Sequence, residues 1–193
     1  MSSGPPADRS ARTHRAAIAA TVEQPVPDVL AGGLGVVFCG INPGMRSALA
    51  GYHFAGPGNR FWPSLYASGF TDRLLTASES GLLPQFGCGI TNLVMRATAR
   101  ADQLSADEIA AGRVVLEAKI VRYKPQWLAV LGVGAYRSAF ADRRAAPGRQ
   151  DRTIGETRVW LLPNTSGLNA HCRPEDFVRH FVALRQAVRA TSY

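Results

Sequence analysis

The chain has 193 residues, the length of one domain, and a hydrophobic content of 46% that rules out wholesale disorder. Its 22 Lys+Arg against 14 Asp+Glu leave a net charge of +8, and every cation except Lys119 and Lys124 is Arg. Such a balance fits a polyanionic partner, nucleic acid first in line, and equally fits the codon bias of a GC-rich genome.

No stretch approaches the roughly 18–20 apolar residues of a membrane span. Arg9, Arg12 and Arg15 are followed by only a brief apolar patch, Ala16–Ala20, which is no signal peptide. Cys39, Cys88 and Cys172 are far apart and form no CxxC pair, which argues against zinc, an iron–sulfur cluster or a disulfide framework. No metal or cofactor is therefore expected. Three lone thiols suit a reduced, cytoplasmic protein.

Residues 1–30 are rich in Ser and Pro, among them positions 2, 3, 5, 6, 25 and 27, and their three Arg are balanced by Asp8, Glu23 and Asp28. They read as a flexible tail, with the folded domain spanning 31–193 and carrying the whole basic surplus. Gly35–Cys39 is a short apolar run bounded by glycines, the mark of a buried strand. Asn59–Ser68 reads as a helix and Cys88–Val94 as a second strand. Ser105–Tyr123 is the clearest helix: Ser105 and Glu108 form a capping box, and Ile109, Val114, Val115, Leu116, Ile120 and Val121 supply an apolar face. Pro125 ends it. Gln126–Leu131 is a third strand, Ala135–Ala141 a short helix, Thr157–Leu162 a fourth strand and Pro174–Ala190 a terminal helix. The alternation predicts an α/β fold with a mostly parallel sheet covered on both sides. Functional loops then follow the strand C-termini, at 40–58, 95–104, 132–134 and 163–173.

Within these loops, Gly40-Ile41-Asn42-Pro43-Gly44 fixes a tight turn around one polar side chain, either a plain strand-to-helix turn or a holder for a water or polar ligand. No Gly-Lys-Ser/Thr follows, so it is not a phosphate loop. In Ala50–Trp62, large rings sit among glycines beside Arg60. Phe61 and Trp62 open a helix and cap the core, whereas Phe54 is isolated by small residues and suits stacking on a base. Leu168, in the polar loop Asn164-Thr165-Ser166-Gly167-Leu168-Asn169, is either a loop anchor or an intercalating wedge. His171 is a general acid–base candidate, more often a capping residue. Gly132-Val133-Gly134 lacks the third glycine of a dinucleotide fingerprint, and Ser166 lacks triad partners.

Taken together, the GINPG turn after a strand, the Phe54-Ala55-Gly56-Pro57-Gly58-Asn59-Arg60-Phe61-Trp62 segment, CGITNLV, and Asn164-Thr165-Ser166-Gly167-Leu168 resemble the mismatch-specific uracil/thymine-DNA glycosylases over roughly residues 31–190. The resemblance implies a three-layer α/β/α fold with a short central sheet. It implies a monofunctional, monomeric enzyme that extrudes uracil or thymine from G·U or G·T mismatches in double-stranded DNA and hydrolyses the N-glycosidic bond, in a cytoplasmic, nucleoid-associated setting. Asn42 matches the water-positioning catalytic Asn, Ile41 and Phe54 the groups around the extruded base, and Asn164 a residue near the flipped nucleotide. Gly167 and Leu168 match the wedge, with Asn169 and Arg60 alongside on the DNA. Many relatives carry an acid where this chain has Met95; Asp102, farther along the same loop, is the candidate for a second catalytic group. Thr165 replaces a usual Pro, and Asn169-Ala170 a Ser-Arg pair, so looser discrimination of the opposite base is expected. A phosphate-tracking face is expected from Arg46, Arg60, Arg96 or Arg100. The rival reading is a lesion-binding protein of the same fold with weak turnover.

Overall fold

The computed structural model describes residues 25–167, 169 and 172–191. Strand β1 (Val36–Gly40) is followed by α1 (Met45–Ala50), α2 (Phe61–Ala67), a 3₁₀ segment (Ala77–Phe86) and β2 (Cys88–Asn92). A 3₁₀ turn (Ala101–Gln103) leads into α3 (Ala106–Tyr123), then β3 (Trp127–Leu131), α4 (Val133–Phe140), β4 (Gly148–Ile154), β5 (Thr157–Leu162) and α5 (Pro174–Thr191). The strands form one sheet in the order β2-β1-β3-β5-β4. β2, β1, β3 and β5 run parallel, and β4 pairs antiparallel to β5 at the edge.

Side chains of β1 and β3 divide between the two faces by the period of two that a strand imposes. Val37, Cys39, Leu128 and Val130 pack with Leu116 and Ile120 of α3 and Tyr136 and Phe140 of α4. Val36, Phe38, Trp127 and Ala129 pack with Phe61 and Leu65 of α2 and Phe181 and Leu184 of α5. Because both faces are covered, the strands read as unbroken apolar runs rather than alternating ones. The result is the expected three-layer α/β/α arrangement. Cys39 and Cys88 are buried thiols, and burial pushes Cys88 up to about 12, so both stay protonated and inert.

The capping box of α3 forms as its spacing predicts: Glu108 N donates to Ser105 Oγ at 3.1 Å and Ser105 N donates to Glu108 Oε2 at 2.9 Å. Elsewhere the structure departs from expectation. Of the apolar face expected on α3, Val114, Val115 and Val121 are exposed, and Leu116 and Ile120 alone are fully buried, because one stripe of the helix faces the sheet. The loop expected at 40–58 contains α1, whose six residues are too short to display a helical period. The helix expected at Asn59 begins at Phe61, with Asn59 Oδ1 accepting from Phe61 N at 3.0 Å. The second strand ends at Asn92 rather than Val94. β4, with sequence GRQDRTI, was not expected at all; it is an edge strand with only Ile154 buried, so it needs no apolar pattern, and its charges keep the edge from pairing with other chains.

Residues 25–30, read as part of the tail, belong to the fold. Val26 is 1% exposed, and Val29 exchanges backbone hydrogen bonds with Ile90 at 2.9 and 2.8 Å. Asp28 pairs with Lys119 at 2.6 Å and accepts from Thr91 Oγ1 at 2.7 Å. Composition assigned this segment to the tail because the partners of Asp28 and Val29 lie more than 60 residues away. Residues 1–24 fall outside the described residues.

Two helical glycines give opposite expectations. A Cβ on Gly112 of α3 would stand 2.3 Å from the Leu93 carbonyl oxygen, whereas one on Gly134 of α4 would meet nothing within 4 Å. Gly134→Ala should stabilise by about 0.5–1 kcal/mol through helix propensity. Gly112→Ala should destabilise by about 1–3 kcal/mol through overpacking. Urea midpoints measure both, and a stabilised Gly112→Ala would show that α3 does not press on the β2 exit.

Candidate active site

The loops leaving the C-terminal ends of β1, β3 and β5, with the segment after β2, enclose a cleft of about 1140 Å³. This is where an open parallel sheet places its ligand site. Ile41, Asn42, Phe54, Asn164, Gly167, Asn169, Arg60 and Asp102 all border it. The sequence-derived candidates thus converge on one cavity, although they span some 130 positions of the chain.

The turn after β1 is zipped to the segment after β2. Leu93 N donates to Gly40 O, Val94 N to Ile41 O and Thr98 N to Pro43 O, at 2.9, 2.9 and 3.1 Å. Asn42 closes this zipper with its side chain. Its Nδ2 donates to Arg96 O at 2.9 Å and to Thr98 Oγ1 at 2.7 Å. Arg96 O can only accept, so it fixes which end of the carboxamide is nitrogen. Thr98 is buried, and its hydroxyl proton goes to Arg100 O at 2.8 Å, which leaves Oγ1 to accept from Asn42. Both amide protons are thereby spent. Oδ1 is left as an oriented acceptor at the cleft.

Phe54 is held in the left-handed region at φ 55°, a conformation costing an L residue about 1–2 kcal/mol. Its ring stacks on Phe61 with centroids 4.1 Å apart and is half-buried at the cleft. The loop is tied back by Ala55 N donating to Ser47 Oγ at 3.1 Å. At the end of β1 the absence of a side chain on Gly40 makes room for both neighbours: a Cβ there would stand 2.4 Å from Asn92 Oδ1 and 3.3 Å from the Phe54 ring.

Asn92 is a cleft residue that sequence reasoning missed. It is buried, and its Nδ2 faces His53 Nδ1 at 3.3 Å. His53 Nε2 faces Pro27 O at 2.9 Å, and a carbonyl requires the N–H on that nitrogen. The ring is therefore the neutral Nε2–H tautomer, with Nδ1 accepting from Asn92. Desolvation lowers the His53 pKa, consistent with this neutral state. The chain Pro27–His53–Asn92 anchors a carboxamide at the base of the cleft. Its members come from three distant segments, so no local pattern announces it.

The loop after β5 is built on backbone contact. A Cβ on Gly167 would stand 3.2 Å from the carbonyl oxygens of Pro57 and Gly58, so the two loops meet main chain to main chain. Asn164 Oδ1 accepts from Ser166 N at 3.0 Å, and Asn164 O accepts from Asn169 Nδ2 at 2.7 Å. Leu168 and His171 lie outside the described residues. Arg60 does not project to solvent as a free phosphate contact. Its guanidinium donates to Asn169 O and lies 5.0 Å over the Phe177 ring, and its backbone N donates to Thr165 O at 2.9 Å. Arg60 is thus a strut that fixes the 163–169 loop against α5.

Asp102 stands at the rim, its side chain 60% exposed and paired with Arg100 at 2.5 Å. Among the described residues no hydrogen bond joins it to Asn42; they connect only through Thr98 and the Arg100 backbone. Arg96 is likewise occupied, donating to both oxygens of Glu108 at 2.5 and 3.0 Å. Of the four arginines expected to track phosphate, Arg46 alone is exposed with no described partner. Internal pairing, which sequence does not reveal, has taken the other three.

Chemically, the site offers one oriented neutral acceptor, an aromatic face, and a buried carboxamide beside it. Residues 27–188 match the family model of the uracil DNA glycosylase superfamily.

The His53 tautomer makes stability pH-dependent. The unfolded ring takes a proton near 6.5, while the folded ring resists it to lower pH. Its contribution is therefore complete above about pH 6.5 and is lost as pH falls below that value. Urea midpoints should drop between pH 7.5 and 5.5, and His53→Gln should flatten that drop. Parallel pH profiles for the two proteins would show that His53 is not the linked group.

Proposed function

Given that the chain belongs to the uracil DNA glycosylase superfamily, we propose that it excises uracil, and also thymine, from mismatches with guanine in duplex DNA, as a monofunctional hydrolase. The superfamily supports DNA glycosylase action; the observation that carries the finer reading is the Asn42 carboxamide, both of whose protons are committed to Arg96 O and Thr98 Oγ1.

The target bond lies inside the duplex, so the nucleotide must first leave the stack at a cost of a few kcal/mol, least for a mispaired base. The Phe54 ring, with Phe61 behind it, supports a flat base entering the cleft. Asn92 offers an amide N–H and a carbonyl, a complement to the alternating edge of a pyrimidine. Cleavage of the C1′–N1 bond sends its electron pair to the base and leaves cationic character on the sugar. A water held by Asn42 Oδ1 then forms the new C1′–O bond and releases its proton to solvent. An uncharged Asn orients that water and cannot take its proton. The expected regime is therefore slow chemistry helped by a mispaired leaving base. Asp102, which borders the cleft, is the carboxylate candidate for a polarising role, within a rim already engaged by Arg100. That engagement favours the second reading, a lesion-binding protein of weak turnover.

Labelled duplexes containing G·U, G·T or A·U, treated with alkali to cleave abasic sites, test the proposal. Strand breakage at G·U is expected, with A·U cleaved more slowly rather than spared; no breakage on any duplex overturns the enzymatic reading. Asn42→Ala should lower the single-turnover rate about 10²–10³-fold, the scale for removing one positioned polar group. Asp102→Asn tests that polarising role: an unchanged rate removes Asp102 from the chemistry.

A further inference from the structure

We infer that the turn between α4 and β4 carries a phosphate clamp, with Arg143 and Arg144 taking the DNA backbone beside the cleft. The inference rests on duplex DNA being the substrate and adds residues that the loop motifs do not include.

Three observations converge. The turn borders the site, since Pro147 at its end lines the cleft and Gly148 pairs with Leu161 near the C-terminal end of β5. Arg144 precedes Pro147 by three residues, which bounds their separation at roughly 11 Å.

The turn is also braced. Ala145 N donates to Asp142 O at 3.3 Å, and Asp142 Oδ1 accepts from Arg144 N at 3.1 Å. Arg137 of α4 grips the Ala145 carbonyl from Nε and Nη2 at 3.0 and 2.8 Å. Ala145 itself is buried, so the segment is anchored while its arginines point outward.

Finally, Arg143 and Arg144 are exposed, and neither guanidinium has an ion pair, hydrogen bond or ring contact among the described residues. This contrasts with Arg60, Arg96 and Arg100, each tied to a protein group. The acid in the same turn, Asp142, uses its carboxylate on the Arg144 backbone rather than on either guanidinium. A pair of uncommitted guanidinium groups on a braced turn beside a cleft fits phosphate oxygens, which guanidinium forks recognise in bidentate fashion. Arg46, on α1 after β1, also borders the cleft, while the pair sits at the β4 edge, beyond β3 and β5 in the sheet order.

The test is binding of an undamaged 30-base-pair duplex, followed by fluorescence anisotropy across 50–200 mM NaCl. The double variant Arg143→Gln/Arg144→Gln should bind roughly tenfold more weakly, and its plot of log K against log salt should be shallower by about 1.8, the value for two lost phosphate contacts. The charge-matched control Arg122→Gln/Arg189→Gln, with both changes at the far end of the sheet, should match wild type. Equal slopes for the two double variants, or no duplex binding by wild type, overturn the clamp. Excision is read separately at saturating enzyme on G·U duplex, where the clamp variant should keep the wild-type single-turnover rate. Duplex binding with the predicted slope change but no excision by wild type would sink the glycosylase reading and leave the clamp standing.

Discussion

The site depends on two hydrogen bonds from one carboxamide. The Asn42 carboxamide grips Thr98 and the Arg96 carbonyl, joining the loop after β1 to the loop after β2. The backbone zipper from Leu93 to Thr98 brings the two loops together, and the side chain converts that pairing into a polarity. With both amide protons consumed, the carbonyl oxygen is the remaining functional end. A free Asn rotates between donor and acceptor roles, but this one presents an acceptor. Preorganisation of this kind costs nothing at the moment of reaction, because the orientation was set by folding.

The cleft is closed around that acceptor by compromises elsewhere. Phe54 is held at positive φ, a local strain that the Phe61 stack and the Ser47 hydrogen bond offset. Gly40 and Gly167 omit side chains where a Cβ would collide with Asn92 or with the Pro57–Gly58 backbone. His53 is kept neutral so that it can accept from Asn92. Each feature is locally unfavourable or unremarkable, and together they place a ring, a carboxamide and an acceptor on one wall.

Arginine has two uses in this molecule. Arg60, Arg96, Arg100 and Arg137 brace loops through carbonyls, carboxylates and an aromatic face. Arg46, Arg143 and Arg144 stay outside such contacts. Net charge cannot separate these populations, since a guanidinium bonded to a main-chain carbonyl still counts as +1. The same limit explains the absence from the sequence reading of Asn92, Thr98 and the chain Pro27–His53–Asn92. Polar residues placed at the cleft by burial carry no periodicity, and their partners lie up to 56 residues away.

Apolar runs and cap spacing were sufficient for the three-layer architecture, because a strand buried on both faces must be apolar throughout and a capped amphipathic helix has one buried stripe. The tight turns around Asn42 and Asn164 were equally legible, since Gly and Pro write backbone geometry directly into the chain. Tertiary structure alone decided the rest. It made residues 25–30 part of the fold, added β4 as a polar edge, turned Arg60 into a strut and gave Asn42 its direction. β4 was missed because a polar edge strand carries no apolar pattern, although its partner β5 is its neighbour in the chain. The other three are settled by hydrogen bonds and contacts between segments distant in sequence, and a residue's type states what it can bond to, not what folding brings within reach.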